Sequence, residues 1–252
     1  MTTFIGLDLA WTPHRESGVC ILEQRGGQVH VRKLHCSISS PDCFATMCAS
    51  FGRDVVVGVD APLVVTPKRT AERELGRIYG SRHAGAYLAT MAFLTRMNGL
   101  AGPTLAAELR TRGFNLDPEA LHRESPGRFA LEVFPHPAHV EVFGLAAAMK
   151  YKKGRVAVRK EALAGYQSHL QRLLTAELPQ VAEAPTVTDA LSPGALEVRG
   201  IALKNLEDRL DALTCAYVAY HCWRHGRDGF TVFGCGEHGS IAVPKPVAPL
   251  AL

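Results

Sequence analysis

Phe4-Ile5-Gly6-Leu7-Asp8-Leu9 decides the fold, because it is apolar enough for a buried strand yet is broken by a single acid. Outward from it, Ser17 to Gln24 (SGVCILEQ) is rich in β-formers. Arg25-Gly26-Gly27-Gln28 then has turn chemistry, and Gln28 to Leu34 (QVHVRKL) alternates Val with polar residues. These two strands are expected to form a hairpin. A helix is expected from Pro41 to Phe51, capped by Ser39 or Ser40, with Pro41 in its first position and Gly52 at its end. Asp54 to Asp60 (DVVVGVD) has the valine run of a strand buried on both faces, and Ala61-Pro62 stops it directly after a second acid.

From Pro67 to about Gly113 the pattern is helical, punctuated by glycines and Pro103. Arg128 to Phe134 (RFALEVF) returns to strand character and carries a third acid, Glu132, before Pro135. A helix from Pro137 to Phe143, a basic loop and a long helix from Arg159 to Ala176 are expected next, with residues 177–200 as a surface connection. Ala202 to Trp223 is the strongest helix, with apolar residues at 203, 206, 210, 213, 217 and 220. Two short strands near Thr231 to Phe233 and Ser240 to Val243 follow. This order matches the ribonuclease H-like α/β plan, a mixed five-stranded sheet in which an antiparallel meander is joined to parallel strands by right-handed crossovers. A single domain over residues 1–252 is expected, with a helical insertion at about 66–127.

Composition fits an ordinary globule, with 47% hydrophobic and 21% charged residues. Seven cysteines, an odd number without a C-x-x-C pair, argue against a disulfide framework or zinc finger and for buried free thiols. No apolar stretch approaches the roughly 20 residues that span a bilayer, and the start lacks secretory character, so a cytoplasmic location is expected. No P-loop, G-x-S-x-G or H-E-x-x-H pattern is present. The net charge of +4 is small but uneven, since Lys150 to Lys160 holds six basic residues and no acid.

Asp8, Asp60 and Glu132 each lie within or at the end of a core strand, and Asp211 lies on the last helix, with Asp208 one turn earlier as the competing helical acid. Glu207 is expected at the surface. Ionised carboxylates in apolar strands are costly. At about 4 Å each pair repels by roughly 1 kcal/mol in water and about 4 kcal/mol at an effective dielectric of 20. A divalent cation removes that conflict, and an all-oxygen ligand set selects Mg²⁺ or Mn²⁺. Any one of these acids alone is more often an edge residue, a cap or half of a salt bridge. Asp8 and Asp60 rise above that reading because they sit where parallel strands end, beside the crevice that open α/β sheets use for ligands.

Lys150, Lys152, Lys153 and Arg155 are positioned to grip phosphates, with Tyr151 to stack on a base; a solvated loop is the equal alternative. Arg82 and His83 lie in a second basic stretch that also holds Lys68, Arg69, Arg73 and Arg77. His83 is a candidate acid, base or phosphate contact, or simply a loop histidine. His136 and His139 can reach a metal or leaving group, or serve a rigid turn between Pro135 and Pro137. Trp11 offers a stacking surface or core packing.

The stretches GLDLAW (6–11), GVDAPL (58–63), ERELGRIYGSRHAGAY (72–87), ALEVFPHP (130–137), KYKKGR (150–155) and LEDRLDALTCAYVAY (206–220) together resemble the family of unknown function numbered 429. Its members are described as predicted nucleases with a ribonuclease H-like fold. The resemblance implies a metal-dependent nuclease that hydrolyses phosphodiester bonds of nucleic acid, DNA or RNA, by a two-metal mechanism. Asp8, Asp60, Glu132 and Asp211 would be its acids. Asp211-Ala212-Leu213 is similar to the acid-bearing final helix of Holliday-junction resolvases, which favours Asp211 over Asp208. Two other classes compete. An actin-like ATP-dependent kinase shares this core, but needs Gly, Ser or Thr where Leu9-Ala10-Trp11 and Ala61-Pro62-Leu63 follow the acids. A non-catalytic relic of the fold would bind nucleotide or a partner protein.

Overall fold

A computed structural model describes residues 1–12 and 15–246. Its elements run β1 (Thr3–Asp8), β2 (Ser17–Arg25), β3 (Gln28–Ser37), α1 (Pro41–Ser50), β4 (Val55–Val59), α2 (Ala71–Tyr79), α3 (Met91–Arg96), α4 (Ala101–Thr111) and β5 (Arg128–Glu132). They continue with α5 (Pro135–Val142), α6 (Val156–Glu177), α7 (Pro179–Ala182), α8 (Pro185–Leu191), α9 (Ile201–His225), β6 (Phe230–Cys235) and β7 (Gly239–Pro244). The main sheet has the order β3-β2-β1-β4-β5. Its β1–β2 and β2–β3 pairs are antiparallel, and its β1–β4 and β4–β5 pairs parallel. This is the expected mixed α/β sheet, and it is consistent with the ribonuclease H-like plan.

Local chemistry explains the early elements. Gly26 and Gly27 take φ of 56° and 82°, so the β2–β3 hairpin closes through a two-residue loop that glycine enters without a Cβ penalty. Ser40 caps α1, its hydroxyl accepting from the Cys43 N–H at 3.2 Å, and Pro41 takes the first turn, where no N–H is needed.

The sheet is covered on both faces. Phe4, Cys20, Leu22, Val56, Phe129 and Leu131 share a core with α6 and α9, whereas Ile5, Leu7, Val19, Val57, Val59 and Ala130 share one with α1 and α4. Helix α9 lies unusually close to the strands. A Cβ on Gly6 would stand 1.9 Å from the Ala212 carbonyl oxygen, and one on Gly18 would stand 2.0 Å from that of Asp208. These strand glycines admit the helix backbone, which places its 208–212 turn against β1 and β2.

Several expectations are corrected. Residues 177–200 are not a surface connection: they hold α7 and α8, whose Val181, Ala182, Val187 and Ala190 are buried in the α9 core. Pro179 and Pro185 open these short helices instead of interrupting them. Helix α9 buries more than the apolar positions 203 to 220 of its expected stripe, because the sheet and α6 enclose it almost completely from Leu206 to Trp223. Glu207, expected at the surface, is buried and paired with Arg159.

Between β4 and β5, α4 joins the second sheet layer, while α2 packs with the β6–β7 hairpin in a smaller core of its own. Cys20, Cys48, Cys215 and Cys222 are buried thiols as expected, but Cys43 and Cys235 are exposed. Among the described residues no helix is long and apolar enough to cross a membrane.

Candidate metal centre

The strand register builds the site. Leu7 pairs with Val59, and the Asp60 N–H donates to the Leu7 carbonyl at 2.8 Å, so Asp8 and Asp60 stand at the same level at the ends of adjacent parallel strands. Asp211 enters from α9, one residue before the Ala212 carbonyl that the Gly6 notch admits. One carboxylate oxygen from each of Asp8, Asp60 and Asp211 lies within 4.8 Å of the others. Of the two helical acids, Asp211 joins this cluster; Asp208 ion-pairs with Lys204 and acts on Asp8 as a neighbouring negative charge.

Glu132, expected to complete the set, is turned away from it. It pairs with Val59, one residue out of phase with Asp60, and side chains alternate across a strand. Its neighbours in β5 make the parity plain: Leu131 and Val133 face α9, while Ala130 faces the α1 and α4 layer. Glu132 shares the phase of Ala130. There it is forked by Arg69, whose Nη2 and Nη1 donate to Oε1 at 2.5 Å and to Oε2 at 3.0 Å, and Leu63 N–H adds a bond of 2.9 Å. Arg69 also bonds Glu72 at 2.7 Å and the Val64 carbonyl at 2.7 Å. Burial lifts the Glu132 carboxyl to about 7 while Arg69 pulls it down. For the guanidinium the two glutamates outweigh burial and raise its pKa. We assign the pair as ionised, because a forked guanidinium does not release its proton.

Lys152 reaches into the acid cluster. Its Nζ lies 2.7 Å from Asp211 Oδ2 and 3.7 Å from Asp60 Oδ2. Tyr151, expected to stack on a base, is fully buried instead; its hydroxyl donates to Asp211 Oδ1 at 2.7 Å, with the Tyr166 hydroxyl 3.1 Å from the same oxygen. These partners saturate one side of Asp211. Its Oδ2 meets the Lys152 ammonium, whereas the buried Oδ2 of Asp8 receives no hydrogen bond.

The electrostatics record the crowding. Burial pushes the Asp8 carboxyl up to about 8, with Asp211 and Asp208 adding to the rise and Lys152 opposing it. Burial likewise lifts Asp60 to about 7, helped by Asp8 and Asp211 and again opposed by Lys152. Burial also acts on Asp211, but Lys152, His139 and Tyr151 hold it below its usual range. Lys152 stays charged: burial alone would lower its pKa, and the three acids raise it well above the ordinary value. Three hard oxygen ligands, with the buried Asp8 Oδ2 lacking a donor, fit a divalent cation such as Mg²⁺ or Mn²⁺.

The other expected residues take separate places. Lys150, Lys153 and Arg155 are exposed, with Lys153 Nζ donating to the Tyr87 hydroxyl at 3.1 Å. Arg82 spends its guanidinium on the Leu145 and Ala146 carbonyls and on Glu141, which ties the loop after α5 in place. His83 is exposed at a left-handed turn with φ 56°. His139 is fully buried and held neutral by that burial, near 3, and His136 is pushed to about 4 for the same reason. Their rings wall in Tyr151, at centroid distances of 5.6 Å for His136 and 5.9 Å for His139. Trp11 is half-exposed and packs edge-on to Phe93 at 6.2 Å. Neither the hollow beside Met1 and Gly27 nor the groove between β3 and α9 includes any of the three acids.

A family model described as "Protein of unknown function (DUF429)" matches residues 6–230. That span reaches from β1 through α9 and so contains every member of the acid cluster. No curated protein is similar to the chain at a significant level.

Proposed function

The chain belongs to that family of unknown function, and from the geometry of its site we propose that it is a divalent-metal-dependent hydrolase of phosphodiester bonds in nucleic acid. One observation carries the reading: the carboxylates at the end of β1, directly after β4 and on α9 converge within 4.8 Å. Asp8, Asp60 and Asp211 would hold Mg²⁺ or Mn²⁺. When bound, such an ion supplies Lewis acidity, lowering the pKa of a water and stabilising charge on a phosphoryl oxygen.

The chain's own residues prepare that chemistry. Asp8 and Asp60, poised at about 8 and about 7, release protons near neutral pH when a cation takes up their charge. Tyr151 and Tyr166 fix the Asp211 carboxylate through Oδ1, which leaves Oδ2 facing the cluster. Exposed Lys150, Lys153 and Arg155 flank Lys152 on the same loop and offer positive charge to a phosphate backbone.

The test is cleavage of end-labelled single- and double-stranded DNA and RNA with Mn²⁺ or Mg²⁺. Cleavage is expected only with metal, and Asp8→Asn and Asp211→Asn are expected to lower its rate by about 100-fold or more. Cleavage by Asp8→Asn at the wild-type rate contradicts the proposal. So does an absence of cleavage with all four substrates.

A further inference from the structure

A site built for two divalent ions needs enough ligands and enough negative charge for both, and the chain supplies less than that. Glu132 faces the opposite side of the sheet and is spent on Arg69; Asp208 is committed to Lys204. Three carboxylates remain, and the Lys152 ammonium already lies among them, within 2.7 Å of Asp211 and 3.7 Å of Asp60. Resting on the metal reading above, we propose that this centre takes a single divalent ion and that Lys152 is its permanent second cation.

Charge balance favours this arrangement. Three carboxylates are neutralised by one divalent ion and one ammonium, whereas a second divalent ion would leave the buried centre with two excess positive charges. The lysine is also held in place, unlike its neighbours. Tyr151, directly before it, is fully buried with its hydroxyl on Asp211; its carbonyl accepts from Arg159 Nε at 3.2 Å, and Arg159 is itself paired with buried Glu207. Lys150 and Lys153 project to solvent, but Lys152 is drawn inward, with its side chain 31% exposed. That remaining exposure leaves an ammonium N–H free to meet an anionic oxygen of an incoming phosphate, since lysine carries three donors. Lys152 is thus a positioning residue that fixes the acid pair and limits the metal count.

The experiment is Mn²⁺ titration of the full chain by calorimetry, with electron paramagnetic resonance of the loaded protein. Wild type is expected to bind one Mn²⁺ per chain and give the spectrum of an isolated ion. Lys152→Arg keeps the charge and is expected to keep that stoichiometry. Lys152→Met removes a cation beside the ligands and is expected to bind Mn²⁺ about tenfold more tightly. A melting curve of each variant checks folding; if Lys152→Met does not fold, wild type and Lys152→Arg still decide. Two spin-coupled ions in wild type overturn this inference and leave the metal site standing. Unchanged affinity in folded Lys152→Met also overturns it. No Mn²⁺ bound by any of the proteins overturns both.

Discussion

Asp8 shows how a single residue can be costly to the fold and useful to the site. Burial raises its carboxyl to about 8, with Asp211 and Asp208 contributing, and burial raises Asp60 to about 7. In an unfolded chain both would titrate near their ordinary value of 3.8. Between those values the folded chain binds more protons than the unfolded one, so these groups lower stability as pH rises from about 4 to about 8 and do so little below about 4. In EDTA, the melting temperature of Asp8→Asn relative to wild type is therefore expected to climb between about pH 5 and about pH 8.5, and Mn²⁺ is expected to abolish the climb. A difference that stays flat across that range contradicts the assignment. Lys152 was legible as part of a basic run, but its place among the acids was not. Nothing in KYKKGR distinguishes the lysine drawn inward from those left in solvent; burial of Tyr151 does.

At the scale of elements, strand order and strand ends were legible because hydrophobic periodicity and Pro/Gly punctuation encode them locally. Cross-strand phase was not. Whether Glu132 joins Asp60 depends on a one-residue offset between β4 and β5, and that offset is set across a long helical connection. The alternation within RFALE carried the clue, since Glu132 must share the face of Ala130 and not that of Leu131. The correction predicts a separation of effects. Arg69→Met strands Glu132 and Glu72 without their partner and is expected to cost about 3–5 kcal/mol in chemical denaturation. Glu132→Gln is expected to destabilise the fold while Mn²⁺ affinity stays at the wild-type value. A large loss of Mn²⁺ affinity in folded Glu132→Gln would return Glu132 to the metal site. The strand glycines belong to this scale too. Gly6 and Gly18 let α9 approach, and without that approach Asp211 would not reach Asp8.

At the scale of the whole molecule, the sheet gathers acids that are far apart in sequence: Asp8 near the start, Asp60 after the first crossover and Asp211 on the last long helix. The fold class was readable from element order alone, and the family match spans the same frame. The packing of α7 and α8 into the α9 core was hidden because prolines at their first turns look like loop residues in sequence. What unites these features is one buried centre, framed by two tyrosines and occupied by a lysine. The direct measurement is anomalous diffraction from a crystal soaked in Mn²⁺. The account predicts a manganese peak bounded by the carboxylates of Asp8, Asp60 and Asp211, with Lys152 beside it. Manganese bound only elsewhere, or an ordered crystal with no peak among these three acids, would contradict it.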